Sequence, residues 1–207
     1  MGDFMFKRIL SVALLFLFSA HLSAYDYVVG IRAAHRQGHV RGTGVVVRNS
    51  AGEAIILTAN HVVEFSSVCE ISYKNGTKVR GTVFKRDNYW DAASIKAKCD
   101  VKQSFLPLAE KPPRAITTVY YIGNGPGDQV LRKSTLQGYS KYRMILQPPQ
   151  SVGGDSGGPI IFNNEVVGVV TGGQLEVTSG GYFQQPVMQP VNDWGPSLGI
   201  LKTLVPP

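Results

Sequence analysis

Apolar positions in this chain come in short runs rich in Val, Ile, Tyr and Thr, each closed off by turn-forming residues. The runs fall at 27–31, 44–48, 54–57, 69–73, 78–85, 92–97, 117–122, 129–139, 143–147, 159–162, 166–171 and 181–186. Asn75-Gly76, between two of them, is a strong hairpin signal, because both residues tolerate the positive φ of a tight turn. The 23 glycines and 12 prolines punctuate the rest, so the pattern predicts an all-β chain of barrels or sandwiches. One proline-rich polar break, 107–113, falls near the middle and predicts a linker. The tail, 191–204, predicts a short closing helix, weakened by Gly195, Pro196 and Gly199.

The first 24 residues break this pattern. Lys7 and Arg8 precede an apolar core at 9–20, which reads as a signal peptide cut near Ala24, with Ala20 as the alternative site. The core is shorter than the ~20 residues a membrane span needs, so a retained anchor is the secondary reading. Removing 1–24 leaves 183 of the 207 residues, enough for one core or for two small packed barrels. The formal charge then falls from +7 to +6, because Asp3, Lys7 and Arg8 leave together. The remaining basic residues are scattered and not interleaved with aromatics, which predicts a solvated basic surface and no nucleic-acid partner. Affinity for acidic surfaces is compatible with that charge. Export also permits a disulfide between Cys69 and Cys99, closing a loop of ~30 residues at roughly 3–4 kcal/mol in the chain-entropy picture. Sequence leaves open whether the two sulfurs meet.

The chemistry concentrates in GGDSGGP, 153–159. Glycines there let the backbone bend sharply and aim amides into open space. Ser156 can then act as a nucleophile, with the amides of Gly154 and Ser156 donating to the oxyanion. The bland alternative is a Gly-rich hairpin with an incidental serine. A serine needs a base, and the four histidines, His21, His35, His39 and His61, all precede it. The Ser–acid–His order of α/β-hydrolases therefore fails, and His–Asp–Ser remains, with His61 as base. His35 and His39 read as turn histidines on a hairpin, and a metal pair there lacks a third ligand. His21 belongs to the leader. Among the acids between His61 and Ser156, Asp91 suits best the role of fixing the imidazole tautomer, since YWDAASI enters a core. Asp87 has polar neighbours and reads as a turn residue, while Asp100 and Asp128 sit at polar edges.

TANHVV at 58–63, WDAASI at 90–95 and GGDSGGPII at 153–161 together resemble the chymotrypsin-like (trypsin-fold) serine endopeptidases, most nearly the compact Deg-type peptidase domain. VVGIRAAH leading to GTGVVV looks like the family's first hairpin, and VYYIGNGPG like the opening of its second barrel. EVVGVVTGG looks like the strand and substrate edge after the nucleophile. The resemblance covers roughly 27–200 and implies two packed six-stranded antiparallel β-barrels with a short C-terminal helix. The first would span 25–108, the linker 109–115 and the second 116–207. It implies His61 as general base, Asp91 as its orienting acid and Ser156 as nucleophile, with Gly154 and Ser156 as oxyanion donors. Thr171, Gly172 and Gly173 match the segment that pairs with substrate backbone. Gln150 falls where the family places the base of its specificity pocket; it is not acidic, so a preference for Arg or Lys is not implied.

Two departures stand out. Many Deg-type domains have Asn before the nucleophile, whereas this chain has Asp155, as the digestive proteases do, where that acid pairs with a newly cut N-terminal ammonium. Val28-Val29-Gly30 superficially resembles such a terminus but reads better as the first strand, so activity without zymogen cleavage is expected, and the partner of Asp155 is left open. The sequence also runs to Pro207, and on that length the peptide-binding domain of many Deg proteases is not expected. The expectation is thus an exported serine endopeptidase acting on protein or peptide, with no metal or organic cofactor. The alternatives are a catalytically silent module binding extended peptides, or an esterase using the same triad.

Overall fold

A computed structural model describes residues 25–124, 128–140, 143–178 and 187–206 of the protein. The expected leader, 1–24, and the expected strand 181–186 lie outside the described residues.

The first half closes into a six-stranded antiparallel barrel. Its strands are β1 (Val28–His35), β2 (Gly38–Ser50), β3 (Glu53–Thr58), β4 (Val68–Ser72), β5 (Lys78–Asp87) and β6 (Ala92–Lys98), joined in the order β1-β2-β3-β6-β5-β4. A one-turn helix, α1 (Asn60–Val63), follows β3. β3 is buried at every position from Ala54 to Thr58. That follows from the period of two: Ala54 and Ile56 point into the barrel, whereas Ile55 and Leu57 point out toward the second half. Gly76, with φ +84, turns the Asn75-Gly76 hairpin tip, and Thr77 N–H donates to Asn75 Oδ1 at 2.9 Å.

The second half is one curled sheet of β7 (Thr117–Gly123), β8 (Val130–Ser140), β9 (Arg143–Gln147), β10 (Pro159–Phe162), β11 (Glu165–Val169), β12 (Gly172–Thr178) and β13 (Val187–Pro196). The order is β11-β10-β7-β8-β9-β13-β12, so it has seven strands where six were expected. Its two outer strands, β11 and β12, are consecutive in the chain, and Thr171 N–H between them donates to Trp194 O of β13 at 2.9 Å. Chain continuity thus rolls the sheet into the second barrel-like half. β12 opens on Gly-Gly and β13 contains Pro190, Gly195 and Pro196, which is why neither reads as a strand from sequence. The closing helix, α2 (Leu198–Leu204), buries Leu198, Leu201 and Leu204 on one face.

Between the halves lies a shared core. Val28, Val45, Leu57 and Ala92 from the first half meet Ile122, Ile161, Val169 and Leu201 from the second. The proline-rich segment is pinned to both sides: Leu106 N–H donates to Val46 O at 2.9 Å, and Ala109 N–H to Val166 O at 3.0 Å.

The expected Cys69–Cys99 disulfide is not formed; both thiols are free. Cys69 turns into the first barrel, its thiol 3.9 Å from Gly81 O, while Cys99 lies past β6 with its thiol donating to Asn49 Oδ1 at 3.2 Å. The two sulfurs face different neighbours. Burial pushes the Cys69 thiol up to about 11, against a smaller opposing pull from Arg86.

Candidate active site

His61 is delivered by the abrupt change from β3 to α1. Ala59 is still extended, and Asn60 starts the helical turn. Three contacts to Asp91 hold that start. Asn60 N–H donates to Asp91 O at 3.1 Å, His61 N–H donates to Asp91 Oδ1 at 2.8 Å, and His61 Nδ1 lies 2.7 Å from Asp91 Oδ2. An ionised carboxylate only accepts, so the proton of this bond sits on Nδ1, and the neutral imidazole then carries its lone pair on Nε2. Asp91 reaches this position with φ +55 immediately before β6, a conformation that Asp tolerates better than most residues. The side chains of His61 and Asp91 are 40% and 32% exposed, which places the pair at a rim where a substrate can reach it. Asp87 builds the preceding turn by accepting from Tyr89 and Trp90 N–H. Arg86 donates to Val63 O and Ser66 O, both at 2.6 Å, and so clamps the chain leaving α1.

Ser156 stands in a loop turned by Gly154 (φ +98) and Gly157 (φ +88). The loop is stitched to the first barrel by Thr43. Thr43 N–H donates to Ser156 O at 2.8 Å, and Thr43 Oγ1 donates to Gly154 O at 2.7 Å while accepting from Asn124 N–H at 2.9 Å. A Cβ on Gly157 would fall 2.1 Å from Thr43 O and 2.9 Å from Ala59 N, so the Ser156 loop rests against the base of α1. A Cβ on Gly42 would fall 2.6 Å from Val62 Cγ2 and 3.0 Å from Ser156 O. Val62 follows His61 directly, so the loop and the imidazole share one small neighbourhood. The Ser156 hydroxyl makes no hydrogen bond to the imidazole. Among the described residues, the N–H groups of Gly154 and Ser156 also donate to no protein acceptor.

Asp155 is fully buried. Its Oδ2 accepts from Arg132 Nε at 3.1 Å and from Val152 N–H at 3.0 Å, and Arg132 Nη2 lies 3.0 Å away. A second buried acid, Asp193, organises the approach to the loop. Gln150 N–H, Ser151 N–H and Tyr121 OH donate to its Oδ2 at 2.7, 2.9 and 3.0 Å, and Ser151 OH donates to Oδ1. Burial, and then the charge of Asp193, raise the Tyr121 hydroxyl far above its ordinary range. The Gln150 side chain is exposed, with its backbone tied down. Thr171 is buried against Trp194 O, whereas Gly172 and Gly173 pair with Trp194 and Asp193 on one side of β12. β12 ends the sheet, so its far side has no partner strand in that sheet. His35 and His39 are exposed on the β1–β2 hairpin. No cluster among the described residues has the ligands for a metal ion.

Sequence reasoning missed Thr43, Arg86, Arg132 and Asp193. The sequence leaves the partner of Asp155 open, because nothing in the order of residues separates Arg132 from the other basic residues.

A double-barrel all-β fold, with an imidazole–carboxylate pair facing a glycine-rich serine loop across the joint, defines the trypsin-like class. Residues 42–169 match the trypsin-like peptidase domain, and the chain belongs to that family. It is 27% identical over 145 residues to the serine protease Do-like HtrA of Bacillus subtilis (strain 168), covering 62% of this chain and 32% of that protein. It is 28% identical over 95 residues to the serine protease Do-like HtrA of Lactococcus lactis subsp. cremoris (strain MG1363), covering 45% and 23%. The chain thus spans a third or less of these relatives' lengths. Among solved structures, the Rv3671c protease from M. tuberculosis in its active form superposes with a TM-score of 0.70 at 22% identity, covering 88% of this chain and 81% of that one. The serine endoprotease from Yersinia pestis gives 0.66 at 19%, covering 86% and 61%. These two likenesses support the fold. No helix among the described residues is long and apolar enough to cross a membrane.

Proposed function

We propose that this chain is an exported serine endopeptidase that hydrolyses peptide bonds through an acyl-enzyme. The observation that carries the reading is the two-point grip of Asp91 on His61, 2.8 Å to its backbone and 2.7 Å to its ring, beside the Ser156 loop. Ser156 Oγ attacks the scissile carbonyl while His61 Nε2 takes its proton. The carbonyl oxygen becomes an oxyanion and receives the unspent N–H groups of Gly154 and Ser156. Collapse breaks the C–N bond, and the imidazolium hands its proton to the leaving amine. A water then repeats the sequence, with His61 as base, and frees the carboxylic acid and Ser156. Asp91 stabilises the imidazolium without being protonated.

Thr171, Gly172 and Gly173 hold the acyl half of the substrate as an added strand, with Gln150 bordering the side chain before the cut. The Arg132 guanidinium occupies the role that a freshly cut N-terminal ammonium plays for Asp155 elsewhere in the class. Activity therefore needs no N-terminal processing beyond removal of the leader. The relatives' printed names, serine protease, agree with this chemistry.

A fluorophosphonate probe tests the reading. The protein takes up one equivalent, Ser156→Ala takes up none, and a peptide library yields defined cut sites; an unlabelled native protein overturns it. Comparing turnover of peptides with that of simple esters separates an endopeptidase from an esterase.

A further inference from the structure

The outer face of the first barrel, next to the nucleophile loop, is strongly basic. Register places Arg41 of β2 opposite Arg32 of β1, Arg32 opposite Glu70 of β4, and Glu70 opposite Arg80 of β5. Residues directly opposite each other share a face, so one row across four strands carries three guanidiniums and one carboxylate. That carboxylate is already engaged, with Lys78 Nζ donating to Glu70 Oε1 at 3.1 Å. No ion pair among the described residues takes up Arg32, Arg41 or Arg80, and all three are exposed. Like charges facing one another across a sheet are unfavourable. Glu70 offsets its two neighbours in the row, but Arg41 faces only Arg32, and an anion lying beside that pair would relieve it.

The row leads into the site. Arg32, Arg41, Glu70, Lys78, Asn124 and Gly154 line a groove of about 280 Å³, so three cations and one carboxylate, itself paired with Lys78, share it with the backbone two residues before Ser156. A second groove of about 450 Å³ continues from Arg32 and Lys78 to Arg80 and His39. The direction follows from what flanks Ser156. On its C-terminal side, Gly157 N–H donates to Val170 O at 2.6 Å, which leads to the 171–173 edge. On its N-terminal side, Gly154 and the Ser156 carbonyl meet Thr43 and Gly42, next to Arg41. If the acyl half of a substrate lies along 171–173, the leaving half crosses Gly42 and enters the basic groove.

We propose that Arg41 and Arg32 select substrates carrying Asp or Glu within the first four residues after the scissile bond. This rests on the endopeptidase reading and adds a substrate class to it. A carboxylate at that distance meets a guanidinium fork of matched geometry, whereas a lysine there is repelled.

The test uses the full protein and a fluorogenic peptide that it cleaves, with Glu, Gln or Lys placed in turn at the four positions after the cut. At one or more positions kcat/KM runs Glu, Gln, Lys in falling order, with about fivefold between the first two, and the gap narrows as salt is raised. Arg41→Glu reverses the order and Arg32→Gln narrows it. Lys111→Gln, which removes a charge from the distant linker, keeps the native ratio. Equal rates for the three peptides, or an Arg41→Glu protein that still favours Glu, overturn the inference while fluorophosphonate labelling of Ser156 leaves the endopeptidase reading standing. Absent labelling and absent cleavage together bring down both.

Discussion

At position 155 a carboxylate is fully buried directly before Ser156, the proposed nucleophile. Withdrawing a carboxylate from water costs several kcal/mol unless charge and hydrogen bonds replace the solvent. Arg132 does so with two nitrogens at 3.1 and 3.0 Å, and Val152 N–H adds a third contact at 3.0 Å. Because Arg132 sits on β8, the pair ties the loop to the middle of the second sheet, where it cannot drift with the chain termini. Arg132→Met should therefore destabilise the protein by about 3–5 kcal/mol, the range for removing one partner of a buried pair. Adding Asp155→Asn removes the stranded charge and should restore part of that loss. Urea denaturation of the two single variants and the double variant gives the coupling, expected to exceed ~1 kcal/mol; strictly additive losses would show that the pair does not act as a unit. Arg132→Met should also slow fluorophosphonate labelling of Ser156, since the loop aiming the Gly154 and Ser156 amides loses its anchor.

Among the elements, β3 was legible because its residues, buried on both faces, form an unbroken apolar run, and β6 because small and apolar residues dominate AASIKAK; the motifs proposed for the triad lie at the ends of such runs. β12 and β13 were not, because their glycines and prolines match the breaker pattern and their pairing depends on the rolled sheet around them. The same limit applied to side-chain partners: Thr43, Arg132 and Asp193 find theirs across 20 or more residues, and register, not local pattern, decides such meetings. The cysteines show the local rule misleading. Both sit at strand edges, yet Cys69 turns inward as a small core residue of β4. Its thiol titrates near 9 when exposed and at about 11 in the fold, so the unfolded chain loses that proton first. The contribution is fully present below pH 9 and is lost as pH rises from 9 to 11, on the order of 2–3 kcal/mol. A Tm-against-pH series should fall across that window in the native protein. In Cys69→Ala it should fall less steeply, leaving the losses from Cys99, whose thiol burial also raises, and from the buried tyrosines, among them Tyr27, whose hydroxyl burial pushes up to about 12. Parallel curves for the two proteins would remove Cys69 from the account.

At the scale of the molecule, the site exists only where the halves join: His61 and Asp91 come from the first barrel, Ser156 from the second, and Thr43 bonds across. Fixing that joint falls to the shared core, in which α2 adds Leu201 to the cluster that holds Val28, Val45 and Leu57 of the first half, with the helix packed on β5, β6 and β11. Leu201 is wholly buried, as is Ile71, which packs inside the first barrel alone. Truncating either to alanine should cost about 2–5 kcal/mol by chemical denaturation, since each leaves a cavity in a packed core. Their effects on chemistry should differ. Ile71→Ala hollows one barrel and leaves the other's approach to it unchanged, so the folded fraction should label with fluorophosphonate at close to the native rate. Leu201→Ala loosens the core shared by the halves that carry His61 and Ser156, and an error of about 1 Å in a reacting geometry can lower a rate about a hundredfold. The folded fraction of Leu201→Ala should therefore label at least tenfold more slowly than that of Ile71→Ala at matched stability. Equal labelling rates would mean that the hydrogen bonds of Thr43, and not the apolar joint, hold the two halves in register.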